Sequence, residues 1–498
     1  MQPSRREVMR TGLAGLGAIV AGTPSFASAT ACEQFSFHHD HILGTALDLW
    51  VTATDRKAAE QAEGIALDEI ERLRCIFSTY DNESELSRLN RANDAVWASD
   101  ELIDVLRQYE TWTQLTQGAF SAQLGELIAR QQHGINVPST QLADMVGEIQ
   151  HSGWRIEGSL VTRFSGQQLN LNSAAKGFIL QNAANRVRNA IPAASSLVLN
   201  LGGDLIGFGS SFLVAVQNPH RPEENSRPLT VLRLHDVSVA TSGGYQRFAN
   251  IDGERHSHLI DPASGRSADA IAGATVVAPD SVTANILATT ICVLSHEEGL
   301  RLIAETPGTS CLIVRANGEC LRSAGFAALE LPISADTPEE KQEAPKTGDA
   351  WPADYRVAIH IELPTIAGGK YRRPYVAVWI ENSGGKSVRS VTVWGNDRKW
   401  LKDLSIWWKF VKDDQTLVRA VTRATRSPGK YEVVWDGKDD KGEALPKGTY
   451  TIKVEVHREH GKHLTQIGKL ECGAKPAKIT LEKNAETGTT TIDFGKKK

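Results

Sequence analysis

The chain has 498 residues, enough for two to four domains with cores of ordinary size. Its net charge of −4 hides an asymmetry: from Trp351 onward 28 Lys and Arg stand against 18 Asp and Glu, a surplus of +10 that leaves −14 for the first part. The basic residues are scattered among short alternating runs without a helix-borne cluster, which argues against nucleic-acid binding, and beyond the N-terminus no run is apolar for long enough to span a bilayer.

Ser4-Arg5-Arg6-Glu7-Val8-Met9-Arg10 precedes the apolar run Gly12 to Ala21, and Ala27-Ser28-Ala29 offers a small-residue cleavage site. Residues 1–29 thus resemble a twin-arginine signal, which exports proteins already folded, often around a cofactor, and implies a periplasmic mature protein. Cys32 follows a weak lipobox, so a lipid anchor is not favoured. Export permits a disulfide, yet the spacing of the cysteines requires none. Cys75 and Cys292 sit in apolar helical patterns and are expected to be buried.

Ile42 to Ala53 alternates apolar and polar residues like a strand, and Asp55 to Phe77 spaces Ile65, Leu67, Ile70, Leu73 and Ile76 for one buried helix face. That helix runs into FSTYDNESELSRLN, residues 77–90, where Tyr80 is either a stacking platform for a flat ring or a half-buried surface aromatic. A helix from Asp100 to Thr116 leads to the turn Gly118-Ala119-Phe120-Ser121. The run from Leu169 through Asn170, Ser173 and Lys176 to Gly177 passes from strand into a helix that reaches Ala190. A lysine at a helix N-terminus gains nothing from the dipole, so Lys176 is expected to meet an anion. Leu197 to Asp204 reads as a buried strand breaking at Gly202-Gly203, with Asp204 anchoring the turn through local hydrogen bonds first and a ligand second.

Val239 to Leu294 holds the most unusual local chemistry. Ser242-Gly243-Gly244 is a turn whose backbone N–H groups can approach a ligand with no Cβ in the way. His256, His258 and Asp261 crowd a span that ends in a turn with Pro262 and Gly265. Ala274 to Ala278 alternates like a buried strand, and Thr283 to Leu294 reads as a core helix with Asn285 and Thr289 one turn apart. A glycine turn, a histidine and two oxygen donors on one helix face together point to a phosphate and metal site.

The runs FSTYDNESELSRLN, GAF, AAKGF, LNLGGD, ATSGGY and SHLIDPASG, in this order and spacing, resemble the ApbE family of FAD:protein FMN transferases from about Leu43 to Leu331. The resemblance implies an α+β flavin-binding domain over 36–333 and a divalent metal, usually Mg2+. It also implies transfer of FMN from FAD to a Thr or Ser hydroxyl of an acceptor protein, with release of AMP. Carried over by position, Tyr80, Ala119, Phe120, Ser121, Asn170, Lys176, Gly202, Gly203, Asp204, Ser242 and Gly243 fall where the family holds FAD. Ser173, through its backbone carbonyl, and Asn285 and Thr289, through their side chains, fall at the metal. His258 falls where a base for the acceptor hydroxyl is expected. Four positions depart from the family pattern: Ser121, Asn170, Gln181 and Asn285 each stand where it has Asp, which makes the expected site less anionic. Hydrolysis of FAD to FMN and AMP, or flavin binding without turnover, are the alternatives. Asp269 to Thr275 is loosely like an acceptor sequence, but the same residues begin an alternating, buried strand.

Residues 334–350 are polar, charged and proline-bearing, and read as a linker. Beyond it, runs at Arg356 to Ile361, Tyr375 to Glu381, Val391 to Trp394, Tyr431 to Trp435, Thr449 to His457 and Lys478 to Leu481 predict an all-β, immunoglobulin-like sandwich over 351–498. This segment resembles the uncharacterised domain often fused to ApbE-like proteins. Asp436, Asp439 and Asp440 are expected as a solvated acidic turn before a Ca2+ site. Seven of the eleven tryptophans lie here, either as core or as an interaction surface for a partner or for the acceptor protein.

Overall fold

The computed structural model describes residues 32–135, 137–220, 228–244, 248–251, 254–331, 351–352, 354–365, 373–395, 398–414, 417–418, 421–423, 425–459 and 461–496. The expected signal segment and linker lie outside the described residues.

The first part is organised on one sheet of eight strands whose spatial order follows the chain: β1 (Glu33–Ile42), β2 (Thr45–Ala53), β3 (Ala194–Leu201), β4 (Asp204–Phe208), β5 (Ser238–Ser242), β6 (Ile271–Ala278), β7 (Ser310–Arg315) and β8 (Cys320–Arg322). All neighbours run antiparallel. Period-two alternation sets the two faces. Leu47, Leu49 and Val51 on β2, Leu197, Leu199 and Leu201 on β3, and Ala274, Val276 and Ala278 on β6 share a core with the helices α1 (Arg56–Phe77), α2 (Asp100–Leu115), α3 (Asn172–Ala190) and α4 (Ser281–Val293). The interleaved Val198, Val239, Val277, Leu312 and Val314 line the opposite face under the hairpin Phe212–Val216/Thr230–Leu234.

Local rules explain the helices. Asp55 caps α1 by accepting from the Ala58 N–H at 2.9 Å, and Asp280 caps α4 by accepting from Thr283 at 2.8 Å. α4 is buried nearly all round, which its run of Ala, Ile and Leu permits. At Gly177 a Cβ would lie 2.3 Å from the Ser281 carbonyl oxygen, so α3 and α4 touch backbone to backbone there. Gln181, one turn further on, donates nothing to this contact but accepts from the Ser281 N–H at 3.0 Å.

Three local expectations are corrected. Ile42 to Ala53 is not one strand: Leu43 and Gly44, with φ of +50° and +73°, turn the chain between β1 and β2. The buried stripe of α1 opens with Ala58, Ala59, Ala62 and Ala66, while Ile65 and Leu67 are only partly buried, because small side chains let α1 lie close on the sheet. Cys75 is exposed; Cys292 is buried as expected, and burial pushes its thiol up to about 12.

The second part is a β-sandwich. Its strands are β9 (Tyr355–Leu363), β10 (Tyr375–Glu381), β11 (Ser387–Trp394), β12 (Thr422–Arg423), β13 (Gly429–Trp435), β14 (Gly448–His457), β15 (His463–Cys472), β16 (Ala477–Leu481) and β17 (Thr490–Lys496). One sheet runs β13-β9-β17-β16 and the other β12-β11-β10-β14-β15. Val357, Ile359 and Ile361 from the first meet Val378, Ile380, Ile452 and Val454 from the second in one core. Trp379, Trp394, Trp407 and Trp435 are fully buried, so these tryptophans are core. The helix α5 (Ser405–Val411), absent from the sequence reading, is held on the outer face by the buried Glu455, which accepts from the Ile406 and Trp407 N–H groups at 2.9 and 2.8 Å. The acidic turn is satisfied internally: Asp436 accepts from Lys438 N, Asp439 from Lys441 N and Glu443 N, and Asp440 from Ser390 N.

Candidate active site

Lys176 stands on the first turns of α3, and the anion it meets is Asp204, whose Oδ2 lies 2.7 Å from Nζ. The same oxygen accepts from Asn285 Nδ2 at 3.2 Å, which ties β4 to α4. One turn along α4, the Thr289 hydroxyl is 3.2 Å from that of Ser242, at the end of β5. Residues from α3, β4, α4 and β5 thus form two hydrogen-bonded polar groups one turn of α4 apart. Asp204 and Asn285 are 5% and 6% exposed, and Asn285 Oδ1 has no hydrogen-bond partner although it is buried. A buried amide oxygen left without a donor costs on the order of 1–3 kcal/mol, so it is explained best by a cation or donor that binds there.

The glycine turn before Asp204 is clasped from both sides. Gly202 has φ of +57°, and a Cβ there would lie 2.3 Å from Thr45 Oγ1. Its carbonyl accepts from Lys176 Nζ at 3.5 Å, and the Gly203 N–H donates to Asn200 Oδ1 at 3.0 Å. Gly203, with φ of +96°, faces open space on its Cβ side. This leaves the backbone on that side approachable by a ligand.

At the start of α3, the Asn170 side chain accepts from the Asn172 N–H at 3.1 Å, and Asn170 N–H donates to the Ala122 carbonyl at 2.8 Å. The turn holding Ala119 and Ser121 is therefore joined to the Asn170 segment. Phe120 is buried in the core and stacks on Tyr109, with ring centroids 4.4 Å apart. Its side chain is a wedge under the turn, and Ala119 and Ser121 are the half-exposed members. Burial pushes the Tyr109 phenol up, and its hydroxyl reaches Ser173 and the Asn170 carbonyl beneath the expected metal position. Tyr80 is 83% exposed just past α1, with its N–H donating to Ser78 Oγ. Such an aromatic platform contributes nothing to the core.

His258 is half-buried in the loop after the strand Glu254–Ser257. The loop is pinned on either side: Gln131 Nε2 donates to the Ser257 carbonyl at 2.7 Å, and the Asp261 side chain accepts from Ala263 N–H and Ser264 Oγ. The side chain of His256 lies outside the described residues. Thr275 is 3% exposed on β6 and shares a 3.0 Å hydrogen bond with Thr241, so the buried-strand reading of this threonine holds.

The sequence reading missed Asn90, which grips the segment ahead of α3 with both amide atoms: Nδ2 donates to the Leu169 carbonyl at 2.9 Å and Oδ1 accepts from Leu169 N–H at 2.8 Å. It closes the FSTYDNESELSRLN run, in the last turn of the short helix Glu85–Arg91, where a polar residue beside the buried Leu86 and Leu89 is the available signal.

The expected metal is testable against these residues. The donors are amide, hydroxyl and carbonyl oxygens with Asp204 alongside, a set that suits a hard cation such as Mg2+. The unpartnered Asn285 Oδ1 fits such an ion. Among the described residues no group of three His, Cys, Asp or Glu side chains gathers, so most of the compensating negative charge would come from a bound phosphate.

The fold of the first part is shared with solved ApbE proteins. The ApbE protein of Thermotoga maritima superposes with a TM-score of 0.55 at 23% identity, covering 60% of this chain and all of that one. The apo Pseudomonas stutzeri flavinyl transferase ApbE gives 0.52 at 23% identity, over 60% of this chain and 97% of its own. Residues 43–313 match the ApbE family, and the chain belongs to that family. A FAD:protein FMN transferase of Treponema pallidum is 31% identical over 176 residues, 32% of this chain and about half (48%) of the relative. The enzyme of the same name from Haemophilus influenzae is 26% identical over 287 residues, 54% of this chain and 81% of the relative. Residues 356–489 match a family described as a predicted periplasmic protein, DUF2271. Among the described residues no helix is long and apolar enough to cross a membrane.

Proposed function

We propose that the chain is a Mg2+-dependent FAD:protein FMN transferase that works in the periplasm after export by the twin-arginine route. The acceptor hydroxyl oxygen of a Thr or Ser bonds to the FMN phosphorus as the P–O bond to AMP breaks. The hydroxyl proton passes to His258, and AMP leaves with the bonding pair. Tyr80 stacks on a flat ring of FAD. The Ala119–Ser121 turn, Asn170, the Gly202–Asp204 turn and Ser242–Gly243 border the remainder of the dinucleotide. Ser173 through its carbonyl, Asn285 and Thr289 would hold Mg2+, which supplies positive charge to the non-bridging phosphate oxygens when bound.

Lys176 has a double role in this reading. It neutralises Asp204 in the unliganded protein and offers a cation to the substrate phosphates. Asp204 in turn returns part of the negative charge that Asn285 lacks relative to the family pattern. The observation that carries the proposal is the buried, unpartnered Asn285 Oδ1 beside this ion pair, in a chain whose relatives bear the transferase name. The β-sandwich, residues 351–498, would dock a partner or present the acceptor protein.

The test mixes mature protein, FAD and Mg2+ with an acceptor fragment bearing a target threonine, and reads AMP together with the covalent FMN mass increment. Both products are expected. AMP without the adduct assigns hydrolysis of FAD instead, and neither product in the presence of bound FAD would overturn the enzymatic reading.

A further inference from the structure

His38, Asp48 and Asn200 occupy directly opposed register positions on β1, β2 and β3, so their side chains form a row across the sheet on the face away from the helices. The row is hydrogen-bonded throughout: His38 Nδ1 lies 2.6 Å from Asp48 Oδ1, Asn200 Nδ2 donates to Asp48 Oδ2 at 3.3 Å, and Asn200 Oδ1 accepts from Gly203 N–H at 3.0 Å. At its other end the row enters the second domain. Arg426 Nη1 is 3.4 Å from His38 Nε2, and Arg373 donates to the His38 backbone carbonyl. An imidazole protonated on Nδ1, with Nε2 as acceptor, satisfies both ring contacts. His38 is 2% exposed, although it lies on the edge strand of the sheet.

We infer that the β-sandwich domain positions the Gly202–Gly203 turn through the row Arg426–His38–Asp48–Asn200. Lys176 holds the turn from the helix side through the Gly202 carbonyl, and Asn200 holds it from the other side through the Gly203 N–H. The orientation of the Asn200 amide is fixed by Asp48, that of Asp48 by His38, and His38 is clamped by two arginines of the other domain. Asp48, His38 and Asn200 are positioning residues on this account, and their effect on flavin rests on the assignment of that turn to FAD.

The row prescribes its own test in the full-length protein. Asp48→Asn sets two amides against each other, and Asn200→Asp sets two carboxylates against each other. The double exchange restores every contact with the roles swapped, since an amide at 48 can donate to a carboxylate at 200 that still accepts from Gly203 N–H. Each single variant is expected to speed amide hydrogen exchange in a peptide spanning 199–206 and to weaken FAD binding roughly tenfold, with the double variant returning to within about twofold of the parent. Arg426→Ala, far from the turn in sequence, is expected to speed exchange in the same peptide. Unchanged exchange in Arg426→Ala, or a double variant no better than its worse parent, would overturn the proposal. Exchange is read without flavin, so failure of the parent protein to bind FAD would count against the flavin assignment alone.

Discussion

Lys176 and Asp204 form an ion pair of 2.7 Å in which the carboxylate is almost completely buried and also accepts from Asn285. Removing one member of such a pair leaves the other uncompensated, whereas adding charge beside it creates a vacancy for a cation. Asn285→Asp does the latter. In the absence of Mg2+ it places two carboxylates together and is expected to cost about 1–3 kcal/mol of stability. Addition of Mg2+ is expected to raise its Tm by more than that of the parent protein. Thermal unfolding of both proteins, with and without the ion, checks this, and equal shifts would refute a cation at position 285.

His258 is half-buried in a pinned loop and supports no core packing on the scale of its neighbours Leu259 and Ile260. His258→Ala is therefore expected to leave FAD affinity within about twofold while transfer to the acceptor falls about 10²–10⁴-fold, the usual range for loss of a general base. A loss confined to FAD binding would remove the histidine from the chemistry.

Tyr80 separates ligand energetics from stability, because it is 83% exposed. Tyr80→Ala is expected to change stability by less than about 0.5 kcal/mol, and to cost FAD binding about 0.5–1.5 kcal/mol through the lost stacking. Calorimetric titration with FAD beside a denaturant midpoint measures both quantities.

Gly177 gives the opposite pattern. Its ideal Cβ would stand 2.3 Å from the Ser281 carbonyl oxygen, a backbone atom that moves only with α4. Gly177→Ala is expected to destabilise by about 1–3 kcal/mol and to separate Lys176 from Asn285, lowering activity as well. Wild-type stability in this variant would show that α3 and α4 can part at little cost.

Asp440 in the sandwich carries a pH signature. Burial raises its carboxyl from 3.8 to about 6, against the hydrogen bond from Ser390 N–H that favours the charged form. The folded protein then binds the proton more tightly than the unfolded chain. The contribution of Asp440 to stability is therefore full below about pH 4, declines as pH rises to about 6, and is level beyond it. Asp440→Asn keeps the acceptor for Ser390 and is expected to be stabilising at pH 7 by about 1–2 kcal/mol, discounted for partial exposure, with no gain near pH 4. Urea denaturation at the two pH values decides the matter.

Much of the fold is legible in the sequence where one residue's neighbours are its own. Leu47, Leu49 and Val51 announce β2 by alternation, and the small and apolar residues from Thr283 to Leu294 announce α4, though not its first residues or its cap Asp280. The first turn is less legible: Leu43 adopts a left-handed backbone that its side chain gives no reason to expect. β15 and β17 are hard to read because the first buried position of each is polar, Gln466 and Thr490, whose side chains hydrogen-bond to one another inside the sandwich, although Leu470, Cys472, Ile492 and Phe494 then alternate into the core. In the site, Lys176, Asp204, Asn285 and Ser242 could be singled out individually. That one carboxylate oxygen serves both Lys176 and Asn285 depends on sheet order and helix packing, which no local pattern encodes.

The strand order also dictates when the protein can be finished. Every join in the eight-stranded sheet links consecutive strands, but that between β2 and β3 must wait for the long helical stretch inserted between them. Until β3 emerges during synthesis, the β1–β2 hairpin is an orphan with both edges open, and β1, which stays the edge strand of the finished sheet, gains its contacts at His38 only when Arg373 and Arg426 have been made. The earliest strand to be translated is thus completed at His38 by residues made late in synthesis. A chain released before its second domain is complete would lack both arginines and leave His38 without them, a physical difference between finished molecules and truncated ones.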